Sequence, residues 1–224
     1  MGDHLTDYGP APGDTTTTNT APLSIDKPGG DRADRLDRRC APARGAGEKG
    51  WRAPHPNRHH MRMLIREATA EDWPAIWPFF HEIVTAGETF TYPTDLGRDT
   101  GRDWWLLPPP NRTVVAVDDA GKVLGTAKMN NNQSGNGSHV ASASYMVDPA
   151  CSGQGVGRAL CAYTLEWARA AGFRAMQFNA VVETNAHAVK LYGSLGFEVL
   201  GTVPEGFLHP TKGYVGLHVM YRAL

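Results

Sequence analysis

The spacing of apolar and polar positions divides the chain into a long polar start and a patterned remainder. From Leu64 the texture becomes regular. "MLIREAT" alternates into a Thr/Asp cap, which predicts a short strand followed by a helix start. Trp73, Ile76, Trp77, Phe80, Ile83 and Val84 recur at three- and four-residue spacings, so residues 72 to 86 form an amphipathic helix ending near Gly87. Pro74 suits its first turn, whereas Pro78 kinks its interior. "GETFTYPTDL" is a polar and aromatic loop, and "TGRDWWLL" a second short helix closed by Pro108, Pro109 and Pro110.

"RTVVAVDDAGKVLGTAKMN" gives two strands joined by an Asp-Asp-Ala-Gly turn, the strongest hairpin signal in the chain. After the Asn/Gly/Ser loop 130 to 138, "HVASASYMV" is a third strand. Val156, Leu160, Tyr163 and Trp167 share one face of a helix over 156 to 171, and "AMQFNAVV" follows as a strand, which predicts a strand, helix and parallel strand crossover. A helix near 185 to 195 stops at Gly196, and "FEVLGTV" and "YVGLHVMYR" close the chain as strands. This order predicts an α+β, three-layer fold over residues 63 to 224. Its central sheet is mixed and mostly antiparallel, with helices on both faces.

Residues 1 to 60 lack this patterning. The stretch "APGDTTTTNTAPLSIDKPGGDRADRLDRRCAPARGAGEKG" contains no Val or Phe, too little apolar surface to offset ordering entropy, so a disordered, solvated extension is expected there. Its Asp and Glu nearly cancel its Arg and Lys, which argues against a basic nucleic-acid arm.

Composition narrows the function classes. Of the 224 residues 41% are hydrophobic and 20% charged, and the net charge is −1, so no nucleic-acid partner is expected. The three cysteines show no CxxC or Cys/His spacing, which disfavours a disulfide framework or a structural metal and fits a reducing cytoplasm. No apolar run reaches about 18 residues, so no membrane span is expected.

"DPACSGQGVGRALCAY" carries the chemistry. Gly153, Gly155 and Gly157 follow a strand and open a helix, where free N–H groups and the helix dipole favour an anion. The G-x-G-x-G spacing, with no acidic residue about 20 positions on, fits no dinucleotide fingerprint, and Gly-Lys-Ser/Thr is missing for a P-loop. By spacing alone, a phosphate cradle and a structural helix-entry turn both stand.

Together, "YMVDPACSGQGVGRALCAY" and "NAVVETNAHAVKLYGSLGFEVLGTVPEGF" resemble the two main motifs of the GNAT (GCN5-related N-acetyltransferase) superfamily, over about residues 63 to 224. The resemblance implies acetyl-CoA as cosubstrate and a sheet splayed at its parallel pair. It also implies a pyrophosphate cradle made by Ser152, Gly153, Gln154, Gly155, Val156 and Gly157, with Arg158 just behind. Ser152 departs from the family's Gln or Arg, which removes a side-chain contact but leaves the backbone amides. Met146 and Val147 would present backbone groups to pantetheine, and Asn185 would cap the next helix or touch the CoA arm.

Tyr192 matches the tyrosine that protonates the leaving thiolate; packing beside Leu191 and Phe197 is the plainer alternative. Glu183, Glu88, His139 and Tyr145 are candidates to take the amine's proton, with a solvated surface role open for each Glu. Phe90 and Tyr92 are candidate acceptor walls, and Tyr145 is a further candidate acceptor-binding residue. Asn179 resembles the asparagines with which fungal acetyltransferases of proline analogues hold a carboxylate, or else satisfies local backbone. The expected partner is a small-molecule amine. A protein N-terminus or lysine, or a non-catalytic acyl-CoA-binding module, is the alternative. The final strand, alternating from Tyr214 to Tyr221, permits sheet pairing in a homodimer.

Overall fold

A computed structural model describes residues 51–52 and 63–224. Its elements run β1 (Trp51–Arg52), β2 (Met63–Glu67), α1 (Trp73–Ala86), α2 (Arg98–Trp105), β3 (Arg112–Asp118), β4 (Val123–Asn131), β5 (Val140–Val147), α3 (Val156–Ala170), β6 (Ala175–Val182), α4 (Ala186–Ser194), β7 (Glu198–His209) and β8 (Gly213–Ala223). The expected extension 1 to 60 lies outside the described residues except for β1, which pairs antiparallel with β2. That two-residue strand falls within the expected extension; backbone pairing at an edge needs no apolar pattern, so nothing in the local sequence marks it.

The strands form one sheet in the order β1-β2-β3-β4-β5-β6-β8-β7. All neighbours are antiparallel except β5 and β6. On one face α1 and α2 bury Trp73, Ile76, Phe80 and Trp105 against Val115, Val117 and Met146. On the other, Leu160, Cys161 and Leu165 of α3 pack on Val114, Ala116, Ala127 and Met176, with Tyr192 of α4 against the same core. β3 is therefore buried on both faces, which explains its unbroken Val/Ala run.

The predicted end of α1 holds. Gly87 caps α1 at φ 65°, its N–H donating to Val84 O at 3.1 Å. Helix α2 begins two residues before the predicted stretch and stops at Trp105, two residues before its predicted end and ahead of Pro108. Trp105 Nε1 donates to Thr126 Oγ1 at 3.0 Å, and Thr113 Oγ1 donates to Trp105 O at 2.8 Å.

The last two strands differ from expectation in length and place. β7 continues through "PEGFLH", because the register with β8 shifts between Val203 and Phe207 and absorbs the residues that cannot pair. The final strand is not the edge: β8 inserts between β6 and β7, so the Tyr214 to Tyr221 alternation sits on an inner strand and cannot pair across a dimer axis. Among the described residues the outermost strand on that side is β7.

Candidate active site

The site arises where the sheet opens. β5 and β6 pair only at Val140↔Ala175 and Ala141↔Met176, and then diverge. On its other side β5 stays paired with β4 up to Val147. From Ser142 onward, the backbone groups of β5 that point toward β6 thus have no ladder partner among the described residues. On β6, Asn179 and Ala180 form a bulge against β8, which bends the strand away at this level. The gap is a cavity of about 1010 Å³ whose walls include Met146, Val147, Asn179, Asn185 and Tyr192.

At one end stands the glycine loop. A 3-10 turn over Pro149–Cys151 is held by Asp148, whose carboxylate accepts from Ala150 N–H at 2.9 Å. Gly153 and Gly155 then adopt φ 76° and 83°, a left-handed conformation that side chains resist. A Cβ at either would meet no atom within 4 Å, so both open onto free space. The first bond into α3 is Ala159 N–H to Gly155 O at 3.0 Å, so the N–H groups of Val156, Gly157 and Arg158 have no helical acceptor.

Close approach of α3 to the sheet depends on Gly125, where a Cβ would lie 2.9 Å from Met146 O and 3.0 Å from Val156 Cγ1. Arg158 crosses to α4, Nη2 donating to Ser194 Oγ at 2.8 Å. Ser152, Gly153, Gly155, Val156, Gly157 and Arg158 all line the cavity. The Gln154 side chain does not; it turns back to Ala150 O.

In the middle stands Tyr192, half-buried and packed on Phe178 with ring centroids 4.7 Å apart. Burial, reinforced by the neighbouring Cys161 thiol, pushes its phenol well above the usual tyrosine range, so it stays a proton donor at neutral pH. Tyr145 lines the same cavity, but its hydroxyl lies 2.6 Å from Thr164 Oγ1, which in turn donates to Cys161 O. Burial also raises Tyr145 strongly. Its hydroxyl is thus engaged with Thr164 while the residue lines the wall. Asn185 caps α4, its Oδ1 accepting from Ala188 N–H at 3.2 Å, and still faces the cavity.

At the far end the α1–α2 loop brings Glu88, Phe90 and Tyr92 to the wall, which Ser142 and Ser144 of β5 also line. Glu88 is exposed there. Phe90 packs on Tyr92 and Trp105, with centroids 5.4 and 6.0 Å away. Tyr92 Oη accepts from Lys128 Nζ at 2.7 Å. Burial moves the two apart, Tyr92 up to about 12 and Lys128 down to about 8.

Two candidate bases lie off the cavity wall. Glu183 is outside the cavity wall; its Oε1 accepts from Gly216 N–H at 2.7 Å, and its own N–H donates to Gly216 O, so the carboxylate braces β8. His139 precedes β5 at the end where β5 and β6 still pair, opposite the opening, its C=O accepting from Arg174 N–H. Asn179 does line the wall, its Nδ2 donating to Asn132 Oδ1 at 2.6 Å and its Oδ1 accepting from Gln177 Nε2 at 2.8 Å.

Sequence reasoning missed Lys128, Asn132, Ser142 and Ser144. The serines left a signal, alternating with Ala141 and Ala143 in "ASASYMV"; Asn132, 47 positions from Asn179, left none.

Residues 77–197 match the model of the acetyltransferase (GNAT) family. A structure described as a GCN5-related N-acetyltransferase from Kribbella flavida is 59% identical, with a TM-score of 0.71, over 72% of this chain and 98% of that one. The yncA protein of Salmonella typhimurium, solved with its cofactor acetyl-CoA, is 25% identical with a TM-score of 0.62, over 72% and 94% of the two chains. The N-acetyltransferase aca1 of Schizosaccharomyces pombe is 29% identical over 156 residues, 63% of this chain and 75% of that protein.

Proposed function

The chain belongs to the acetyltransferase (GNAT) family and is an N-acetyltransferase with acetyl-CoA as cosubstrate; from that premise we propose that residues 63–224 acetylate the primary or secondary amine of a small molecule, an amino acid or analogue, by direct attack. One observation carries the reading of the site: left-handed Gly153 and Gly155, beside helical amides without an acceptor, stand at the mouth of a splayed strand pair. A pyrophosphate suits such amides, and a pantetheine amide chain suits the unpaired edge of β5. The residues present therefore fit the cosubstrate, and the absence of a side chain at position 152 longer than serine does not remove the amides.

Acetyl-CoA, when bound, supplies an acetyl group activated as a thioester. The protein's own part is orientation and proton movement. Gly153 to Arg158 hold the anionic end, and Met146 and Val147 align the arm through backbone bonds. Phe90, the Tyr145 ring and Asn179 position the amine, which must be neutral to attack. Glu88, the carboxylate on that wall, takes the proton released as the C–N bond forms. Tyr192 gives its phenolic proton to sulfur as the C–S bond breaks, and regains one from solvent. The resemblance of Asn179 to carboxylate-holding asparagines supports an amino-acid acceptor.

Steady-state CoA release with a panel of amines, amino acids and N-terminal peptides tests this reading. Turnover of small amines and its loss in Tyr192→Phe are expected. Acetyl-CoA binding without turnover of any amine, or turnover of peptides alone, would overturn it.

A further inference from the structure

The acceptor end of the cavity continues beyond the residues discussed so far. Antiparallel partners share a face of the sheet, and the β4–β5 register sets Lys128 beside Ser144 and Asn130 beside Ser142. Ser142 and Ser144 line the main cavity, whereas Lys128, Asn130 and Asn132 line an adjoining polar pocket of about 410 Å³. Asn179 and Asn132, joined at 2.6 Å, bridge the two. One polar stripe thus crosses β4, β5 and the β6 bulge.

Lys128 is the cation of this stripe. Its Nζ donates to Tyr92 Oη at 2.7 Å and to Trp104 O at 3.0 Å, and lies 5.3 Å from the Trp105 ring centroid. Both oxygens are neutral, and among the described residues no carboxylate lies within ion-pairing distance of it. A half-buried ammonium without a counter-charge is unfavourable unless an anion completes it. Asparagine and serine can hydrogen-bond a carboxylate but cannot neutralise one.

We infer that Lys128 is the anion-recognising group of the acceptor site, so that the acceptor carries a carboxylate, held in the pocket of Lys128, Asn130 and Asn132, as well as the amine presented in the main cavity. This rests on the acetyltransferase reading above. Tyr92 links the two halves, since the hydroxyl that receives the Lys128 hydrogen bond belongs to the acceptor loop that also carries Glu88 and Phe90.

The test uses the full chain, with L-alanine, L-leucine and L-proline against their carboxamides as acceptors, in wild type, Lys128→Met, Lys128→Gln and Lys128→Arg. In wild type the acids should exceed the amides by about tenfold or more in kcat/KM, the scale of one charge-assisted contact. Both neutral variants should abolish that preference through acceptor KM, leaving the KM for acetyl-CoA unchanged, and Arg should restore part of it. An unchanged acid-to-amide ratio in Lys128→Met and Lys128→Gln would overturn the inference. Should no amine be turned over at all, the enzymatic reading fails separately. Calorimetric titration of the three acids into CoA-loaded protein then decides: saturable binding lost in both neutral variants upholds the anion site, and equal or absent binding refutes it.

Discussion

Replacing Lys128 by Met should change how stability depends on pH, with a sign that the packing around the ammonium dictates. Burial lowers Lys128 from 10.5 to about 8. Below about pH 8 both the native and the unfolded chain carry the proton, and the native state bears the full desolvation penalty. Between about 8 and 10.5 the unfolded chain binds a proton that the native state lacks, so wild-type stability gains with rising pH across that window. The separation of the two values corresponds to about 3 kcal/mol at most, and solvent screening of a half-buried side chain reduces this to roughly 1.5 kcal/mol.

The hydrogen bonds to Tyr92 and Trp104 favour the ammonium and so oppose this slope, but burial prevails in the net lowering of Lys128. Tyr92, raised to about 12, does not titrate in the window. Urea unfolding of wild type and Lys128→Met in steps from pH 7.5 to 10.5 measures the difference curve. Wild type should gain roughly 1.5 kcal/mol relative to the variant, or about 3–6 °C in Tm. Parallel curves would refute the argument, as would a relative loss by wild type with rising pH, the signature of a lysine paired with an acid.

Tyr192→Phe should lower kcat by about a hundredfold, the usual scale of a lost general acid, while the acetyl-CoA KM and Tm stay close to wild type because the ring still packs on Phe178. Gly155→Ala should destabilise by about 1–2 kcal/mol through its φ of 83° alone, and raise the acetyl-CoA KM. Gly193→Ala, inside α4 with open space at its Cβ, should instead stabilise by roughly 0.5–1 kcal/mol; thermal melts compare the two. Asp72, bonded to Arg66 at 2.7 and 2.8 Å and to Thr69 N–H, is held below the usual 3.8. Its contribution is present above that value and is lost as pH falls through the lower native one. Asp72→Asn should therefore show a shallower acid limb in unfolding measured from pH 5 to 2.

Local pattern determined much of this protein. Helix periodicity located α1 and α3, the Asp-Asp-Ala-Gly turn located the β3–β4 hairpin, and "SGQGVG" before an amphipathic helix located the glycine loop that lines the cavity. These are short-range properties, set by backbone preferences and by which side of an element must leave water. Tertiary structure decided what depends on strands meeting across the sheet. Only the fold puts β8 inside β7, turns Glu183 onto Gly216, commits the Tyr145 hydroxyl to Thr164 and sets Lys128 beside Ser144. A side chain's charge and hydrogen-bonding capacity are written in the sequence. Whether that capacity is spent within the fold or left facing a cavity depends on long-range register, which no local window contains.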